Sequence, residues 1–406
     1  MKHSWARLSD MQHVAVVGAG LVGASAALGL AQQGFLVTLI EHQVPQLQLG
    51  ELGIDIRNVA LTPASREFLD KLGVWERTTP GARSFDSYGY VGMYVWEQWG
   101  SGHIDFAAAD LGCEYMGWVV EASPLTLDLW QACSNHPNIT IELTAITDMQ
   151  VDEGCVALDL QERDQCVNAN FVIAADGARS AVRNLFNVGV FEHEVNQSAL
   201  ATVVQHALPH GRIARQRFLV DGPLALLPSH DGHTSSVVWS QSTEQAKVRR
   251  DTTPKQFCEE MTALLEHCVG DIEQVDRRIV FPLAQQRVKS LNPHPRILFV
   301  GDAMRVVHPL AGMGVNLGFE DVVELLQVAR GQSDLGRPGL WQRYERARAN
   351  RSAAMIQTMS MFKTLFSSDL PGAALLRKAG MTGISALPGL KQQIMREAMG
   401  LGRLGK

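Results

Sequence analysis

The residues able to do chemistry sit in two glycine-rich segments far apart in the chain. The first, Val14 to Glu41, contains Gly18-Ala19-Gly20-Leu21-Val22-Gly23 directly after an apolar run. Gly18 permits a tight turn, Gly20 lets backbone approach a pyrophosphate, and Gly23 allows a helix to pack closely on a strand. The helix that follows points its N-terminus at the phosphates. Glu41 comes about twenty residues on, placed to accept hydrogen bonds from a ribose. Such a glutamate suits FAD or NAD and disfavours a 2′-phosphate at that position. The second segment, Leu298 to Asp321, ends an apolar strand in Gly301-Asp302 and enters a helix through Gly312-Met313-Gly314-Val315-Asn316. An acid at such a strand end is costly to bury without donors. A ribityl hydroxyl, or water on a pyrophosphate, would supply them. Backbone amides at the helix start can bond the pyrimidine edge of an isoalloxazine, and the helix dipole favours negative charge there. A nicotinamide dehydrogenase needs only the first segment. The two together imply FAD, held at its adenosine end and its flavin end by distant parts of the chain.

The elements that must position these groups can be read from periodicity and punctuation. His13 to Val17 reads as a buried strand, Leu21 to Gln33 as a helix stopped by Gly34, and Leu36 to Ile40 as the next strand. Thr62-Pro63 reads as the cap and first turn of a helix ending at Gly73. Tyr88 to Phe106 alternates like strands. Pro124 to Cys133 reads as a helix and Ile139 to Glu142 as a strand. Val151 to Glu162 and Cys166 to Ala174 form a meander that returns to the core at Ala175-Asp176-Gly177. Strands at 201–205, 216–220, 225–227 and 235–239 then precede a helix from Pro254 to Cys268. Helices are expected from Gly314 to Ala329 and from Leu340 to Phe366, with broken helices over 370–401. The expected class is α/β: a Rossmann-like FAD-binding domain (1–75, 106–190 and 283–345) interleaved with a β-sheet substrate domain (76–105 and 191–282). A basic helical C-terminal region (346–406) follows.

Composition narrows the class. The chain has 406 residues, 46% hydrophobic and 19% charged, enough for two or three domains' worth of core. A net charge of −6 argues against a nucleic-acid partner. Between Arg346 and Lys406, however, ten basic residues face two acids, Asp369 and Glu397. Such a tail suits an anionic partner or a membrane surface, and equally a solvated helix. Its apolar positions include Met359, Phe362, Leu365, Phe366, Leu375 and Leu376. The six cysteines show neither CxxC nor metal-ligand spacing, so they read as thiols in a reducing cytosol, and no metal site is expected.

DIRNVALTPASREFLDKLGVWE (55–76), GWVVEASPLTLDLW (117–130), VIAADGARSAVR (172–183), LALLPSHDGHTSSVVW (224–239), the second glycine segment and LPGLKQQIMREAMGL (387–401) carry a further signal. Over nearly its whole length the chain resembles the group A flavin-dependent aromatic hydroxylases of the p-hydroxybenzoate hydroxylase fold. Within them it is similar to the polyprenylphenol hydroxylases of ubiquinone biosynthesis. The resemblance implies that NAD(P)H reduces FAD and that a flavin hydroperoxide hydroxylates the ring of a lipophilic prenylated phenol or quinol. It implies a bacterial cytoplasmic protein, peripheral on the inner membrane or docked in a biosynthetic complex through 346–406. It also implies that Arg57 contacts FAD near the ribityl chain, that Asp176-Gly177 with Arg179 and Arg183 serves FAD and NAD(P)H, and that His308-Pro309 lies beside the flavin. Read alone, Arg57 could be a salt-bridge partner, Asp176-Gly177 a turn and His308 a structural residue. The chain departs from the family pattern in having Met304-Arg305 for Ala-His, Met313 for Gln and Ala122 for Asn. Arg305 could offer positive charge to a phosphate or flavin, whereas Met313 and Ala122 remove hydrogen bonds. A hydroxylase of another aromatic compound, or a non-catalytic FAD-binding subunit of a biosynthetic complex, therefore stays open. Oligomeric state is not legible.

Overall fold

The computed structural model describes residues 12–75, 89–98, 102–152, 154–161, 166–307, 313–353 and 387–400. Its core is a five-stranded parallel sheet in the order Ile297–Phe299, Phe171–Ala174, His13–Val17, Leu36–Glu41, Ile139–Leu143. The sequences ILF, FVIA, VAVV and LVTLI lack alternation because helices or other strands cover both faces. The first helix, Leu21–Gln32, is apolar almost all round and buries Gly23 through Ala31 without a break. It packs against the helix Met313–Ala329 so closely that a Cβ at Gly29 would lie 2.5 Å from Leu326.

The helix Pro63–Lys71 begins as its sequence predicts: the Thr62 hydroxyl accepts from the Ser65 amide, and Pro63 occupies the first turn. The helix expected from Pro124 starts two residues earlier, at Ala122, and runs to Ser134. The meander is a three-stranded antiparallel sheet (Ile146–Val151, Val156–Leu160, Val167–Ala169), from which the chain re-enters the parallel sheet.

A second sheet, nine-stranded among the described residues, runs in the order Arg305–Val306, Ile279–Val288, Val190–His206, Thr234–Ser242, Gly222–Pro228, Ile213–Leu219, Gly92–Glu97, His103–Ala107, with Ile272–Val275 also on Val190–His206. Its backbone strand is longer than the sequence suggests. Residues 201–205 are the end of a 17-residue strand whose polar first half, VFEHEVNQ, gives no apolar alternation and is ordered by pairing with Ile279–Val288. The helix expected over 254–268 ends at Leu264, where Glu266 and His267 take positive φ. It starts in a capping box of Thr253 and Gln256 and covers a core of Trp239, Phe257, Met261 and Leu265. A helix the sequence reading missed, Thr243–Asp251, precedes it, capped by Ser242.

Of the helix expected over 340–366, residues 342–353 are helical. The tail positions Met359, Phe362, Leu365, Phe366, Leu375 and Leu376 lie outside the described residues. The helix Pro388–Ala398 is docked rather than solvated. Met395 and Met399 are buried, Met395 against Ala108 and Met116, and Lys391 pairs with Asp110 at 2.7 Å. A Cβ at Gly400 would meet Ala64 at 2.9 Å. No helix among the described residues is long and apolar enough to cross a membrane.

Two buried histidines mark the far end of the large sheet. His210 donates from Nε2 to the Ser229 carbonyl and accepts the Arg212 amide on Nδ1, so a second ring proton would face an N–H donor. Burial lowers its pKa to about 4, and burial also lowers that of His206. Because the folded-state value lies below the unfolded one, the stability from a neutral His210 is complete above about pH 6.5 and is lost as pH falls toward 4. The urea midpoint should therefore drop between pH 7 and 5, and His210→Gln should flatten that slope relative to wild type. An unchanged slope would refute the assignment. Separately, Met395→Ala should cost about 2–4 kcal/mol in urea unfolding, the range for truncating a buried methionine. A cost near zero would show that the last helix is not part of the core.

Candidate functional site

Strand order brings three chain segments together. The carboxyl ends of His13–Val17, Phe171–Ala174 and Ile297–Phe299 lie side by side and carry Gly18, Asp176 and Asp302. Ligands of open parallel sheets bind at such ends. The contacts there are backbone-close. A Cβ on Gly18 (φ +98°) would sit 2.5 Å from the Ala175 carbonyl oxygen, and one on Gly23 would sit 1.9 Å from the Gly18 oxygen. A Cβ on Gly318 would sit 2.4 Å from Val22, and one on Gly301 3.1 Å from it. The two glycine segments thus meet at one valine.

An open cleft of about 500 Å³ runs along this junction, within the size range of ligand and cofactor sites. It is lined by Gly20, Leu21 and Val22 of the first glycine segment, by Asn58 and Val59, and by Ala175, Gly177 and Asp302. Val306, Val307, Gly314 and Val315 of the second segment also line it. Phe281-Pro282-Leu283-Ala284 of the large sheet complete the lining. Gly18, Gly23 and Ala19 do not line it. The first two are required by packing. Ala19 is buried and its amide donates to Glu41 Oε2 at 2.8 Å. Glu41 Oε1 accepts the His42 amide at 2.9 Å. These bonds, with the His42 ring also on Oε1, hold the carboxylate at the end of its strand, half-buried, with acceptor capacity to spare.

Other sequence-derived candidates divide between cleft and protein. Arg57 is exposed and bonds a neutral partner, Gln48 Oε1 at 2.9 Å. Asp176 Oδ2 accepts the Val182 amide at 3.1 Å, while Oδ1 is buried without a hydrogen-bond partner. Burial raises its pKa above the ordinary carboxylate value, against the hydrogen bonds that lower it. Asp302 opens on the cleft from the one-turn helix Gly301–Met304. Asp302 is exposed on the cleft, yet the protein around it pushes its carboxyl up, chiefly by lost hydration, with Asp321 adding and Arg305 opposing. Asn316 faces the protein: its amide donates to the Ala60 carbonyl at 2.7 Å, and its oxygen accepts from the Thr62 amide and the Ser65 hydroxyl. It ties the second glycine helix to the Thr62 cap, leaving its backbone as what it could offer a ligand. Arg183 is likewise internal, bonding the Ala178 and Ala303 carbonyls. His308, Pro309 and Gly312 lie outside the described residues, as does the side chain of Met313, the first residue of its helix.

The departures are placed by the same geometry. Arg305 does not reach the cleft. Its side chain is 2% exposed and its Nη1 bonds both oxygens of Asp321. Met304 is buried, and the Ala122 amide donates to the Arg57 carbonyl. Asp321 was missed at the sequence level. The available signal was an acid in FEDVVELL, three residues after Gly318 and four before Leu325, both on the buried face of the helix.

Residues 11–359 match the family described as FAD binding domain. The chain belongs to this FAD-binding family. It is an FAD-dependent aromatic-ring monooxygenase. It is 33% identical to 3-demethoxyubiquinol 3-hydroxylase of Escherichia coli, over 96% of this chain and 98% of that protein. It is 30% identical to the ubiquinone hydroxylase UbiL of Rhodospirillum rubrum, over 97% and 90%. Among solved structures, p-nitrophenol 4-monooxygenase from Pseudomonas putida superposes with a TM-score of 0.74 at 18% identity, covering 97% of this chain and 99% of that one. Klebsiella pneumoniae HpxO, solved with FAD and uric acid, gives 0.72 at 16% identity, over 97% and 98%. At those identities the superpositions show the fold.

The residues at and beside the cleft fit FAD on three counts: an orphaned buried Asp176 oxygen next to it, an open space above Gly20, and another above Gly314, since no atom beyond the neighbouring residues and the local helix backbone lies within 4 Å of a Cβ built on either glycine. The glycines therefore differ in what they answer to. Gly20→Val should leave apo stability within about 1 kcal/mol of wild type but abolish stoichiometric FAD, because the side chain enters only ligand space. Gly23→Ala should destabilise even the apo protein, by about 2 kcal/mol or more. Equal apo destabilisation in both, or full flavin content in Gly20→Val, would contradict this division.

Proposed function

We propose that the chain hydroxylates the aromatic ring of a prenylated phenol or quinol in ubiquinone biosynthesis, with NAD(P)H as electron donor. The observation that carries this reading is the 33% identity over 96% of the chain to a hydroxylase of a ubiquinol precursor. Bound FAD supplies the oxygen-transfer chemistry. The chain's own groups bind, orient and exclude water. The Gly20 backbone would approach the pyrophosphate, Glu41 would accept hydrogen bonds from the ribose hydroxyls, and Arg57 would contact the ribityl region. Asp302 and the unpartnered oxygen of Asp176 would accept hydrogen bonds from hydroxyls or water along the ribityl–pyrophosphate stretch. The first-turn amides of Met313–Ala329 have no intrahelical partners and would bond the flavin's pyrimidine edge, where they would favour negative charge. His308-Pro309 precedes that helix start and would border the flavin.

Phe281-Pro282-Leu283-Ala284 line the cleft together with Val59, Val306, Val307 and Val315, an apolar lining that suits an uncharged ring and a dry reaction space. Burial of Met304 and Arg305 behind the cleft argues against a decayed site. Those departures alter packing rather than the cleft lining. A prenylated substrate lies in the bilayer. We therefore assign the chain to the cytoplasmic face of the inner membrane or to a complex that delivers substrate, through the basic region 346–406.

Purified full-length protein should contain one FAD per chain. It should oxidise NADH or NADPH faster when a prenylated phenol is present, with a hydroxylated product by mass spectrometry. Equal turnover of small soluble phenols would point to another aromatic substrate. Full FAD occupancy without product from any phenol would leave only the non-catalytic subunit.

A further inference from the structure

Asp302 sits on a turn that has little reason to hold itself in place. The helix Gly301–Met304 has four residues, too few to be stable alone. Its first residue, Gly301, has φ +59°, a conformation glycine enters and leaves easily. Both ends of this turn are gripped by one carboxylate. Asp321, 0% exposed, accepts the Gly301 amide on Oδ2 at 3.0 Å and the Arg305 guanidinium on both oxygens at 3.0 and 2.9 Å. Arg348, from the helix over 342–353, closes the knot with Nε on Asp321 Oδ1 at 2.5 Å. Arg305 is also paired through its backbone with Arg287 in the large sheet.

We propose that Asp321 and Arg305 are positioning residues for the flavin end of the cleft: they staple the 301–305 turn at both ends and so fix where the Asp302 carboxylate points. This rests on the reading above that the cleft holds FAD with Asp302 at its ribityl–pyrophosphate stretch.

Two observations argue that the arginine is not there for stability. Its Nε and Nη2 are buried without hydrogen-bond partners, and a buried ion pair with unmet donors is a poor stabiliser compared with an apolar side chain of similar volume. Asp321 would also keep a cationic partner, Arg348, if Arg305 were removed. What Arg305 alone contributes is the second point of attachment and a positive charge near Asp302 that opposes the charge of Asp321 there.

The test is a double-mutant cycle on FAD affinity, with apo protein, added FAD and flavin fluorescence as the readout. Arg305→Met should weaken FAD binding about tenfold or more in the wild-type background and about twofold or less when Asp302 is already Asn. Urea stability of the apo protein should stay near wild type, and Arg305→Lys should recover part of the affinity. Should Arg305→Met not fold, Asp321→Glu, which keeps the charge but shifts the staple by one methylene, enters the same cycle with the same expected coupling. Equal losses in both backgrounds, or unchanged affinity with lowered apo stability, would overturn the proposal and leave the knot purely structural. Absence of FAD binding by wild-type protein would instead defeat the reading on which it rests, before any variant is compared.

Discussion

The cleft depends on backbone segments approaching one another more closely than any side chain would permit. Gly18 and Gly23 lie against Ala175 and each other, while Gly301 and Gly318 close on Val22. A single Cβ at most of these points would meet protein atoms at 1.9–2.8 Å, distances real Cβ atoms essentially never show. The consequence is geometric. Three strand ends are pressed into one rim, which carries Gly18, Asp176 and Asp302. Gly20 and Gly314 are glycines of another kind, with open space where a side chain would be.

Around that rim, charge is divided between the cleft and the protein behind it. Asp302 lines the cleft, with an Asp176 oxygen buried beside it and Glu41 at a neighbouring strand end. Behind it, Asp321 is neutralised twice over by Arg305 and Arg348, and Glu320 is held below its usual range by Arg351 and Arg348 although burial opposes them. Arg351 passes the chain of pairs on to Glu397 of the last helix at 3.0 Å. Electrostatic continuity therefore runs from the acidic turn to the C-terminal region.

Local signals made part of this legible in the sequence. The strand–turn–helix of the first glycine segment, the Thr62-Pro63 cap and the helix from Met313 to Ala329 each depend on neighbouring residues, so they could be placed to within a residue or two. The 17-residue strand Val190–His206 could not, because its polar half takes its conformation from distant partners. The parallel pairing of Ile213–Leu219 with Gly92–Glu97 joins segments over a hundred residues apart and has no local trace. At the site, glycine spacing pointed to the right stretches of chain but not to side-chain direction. Asn316 and Arg305 look from the sequence like groups for a ligand, and both turn into the protein. Asp321, which holds the acidic turn, was hidden as one acid among several in a helix.

The central strand of the parallel sheet has a temporal consequence. His13–Val17 is flanked by Leu36–Glu41, made almost at once, and by Phe171–Ala174, which in turn needs Ile297–Phe299. At translation rates of roughly 5–20 residues per second, the outermost of these strands emerges about 15–60 s after the first. During that interval an apolar strand and a helix with no polar face have no finished core to enter. The residues of the first glycine segment thus leave the ribosome early and are among the last to be buried, which makes the nascent chain, more than the finished enzyme, the form exposed to aggregation.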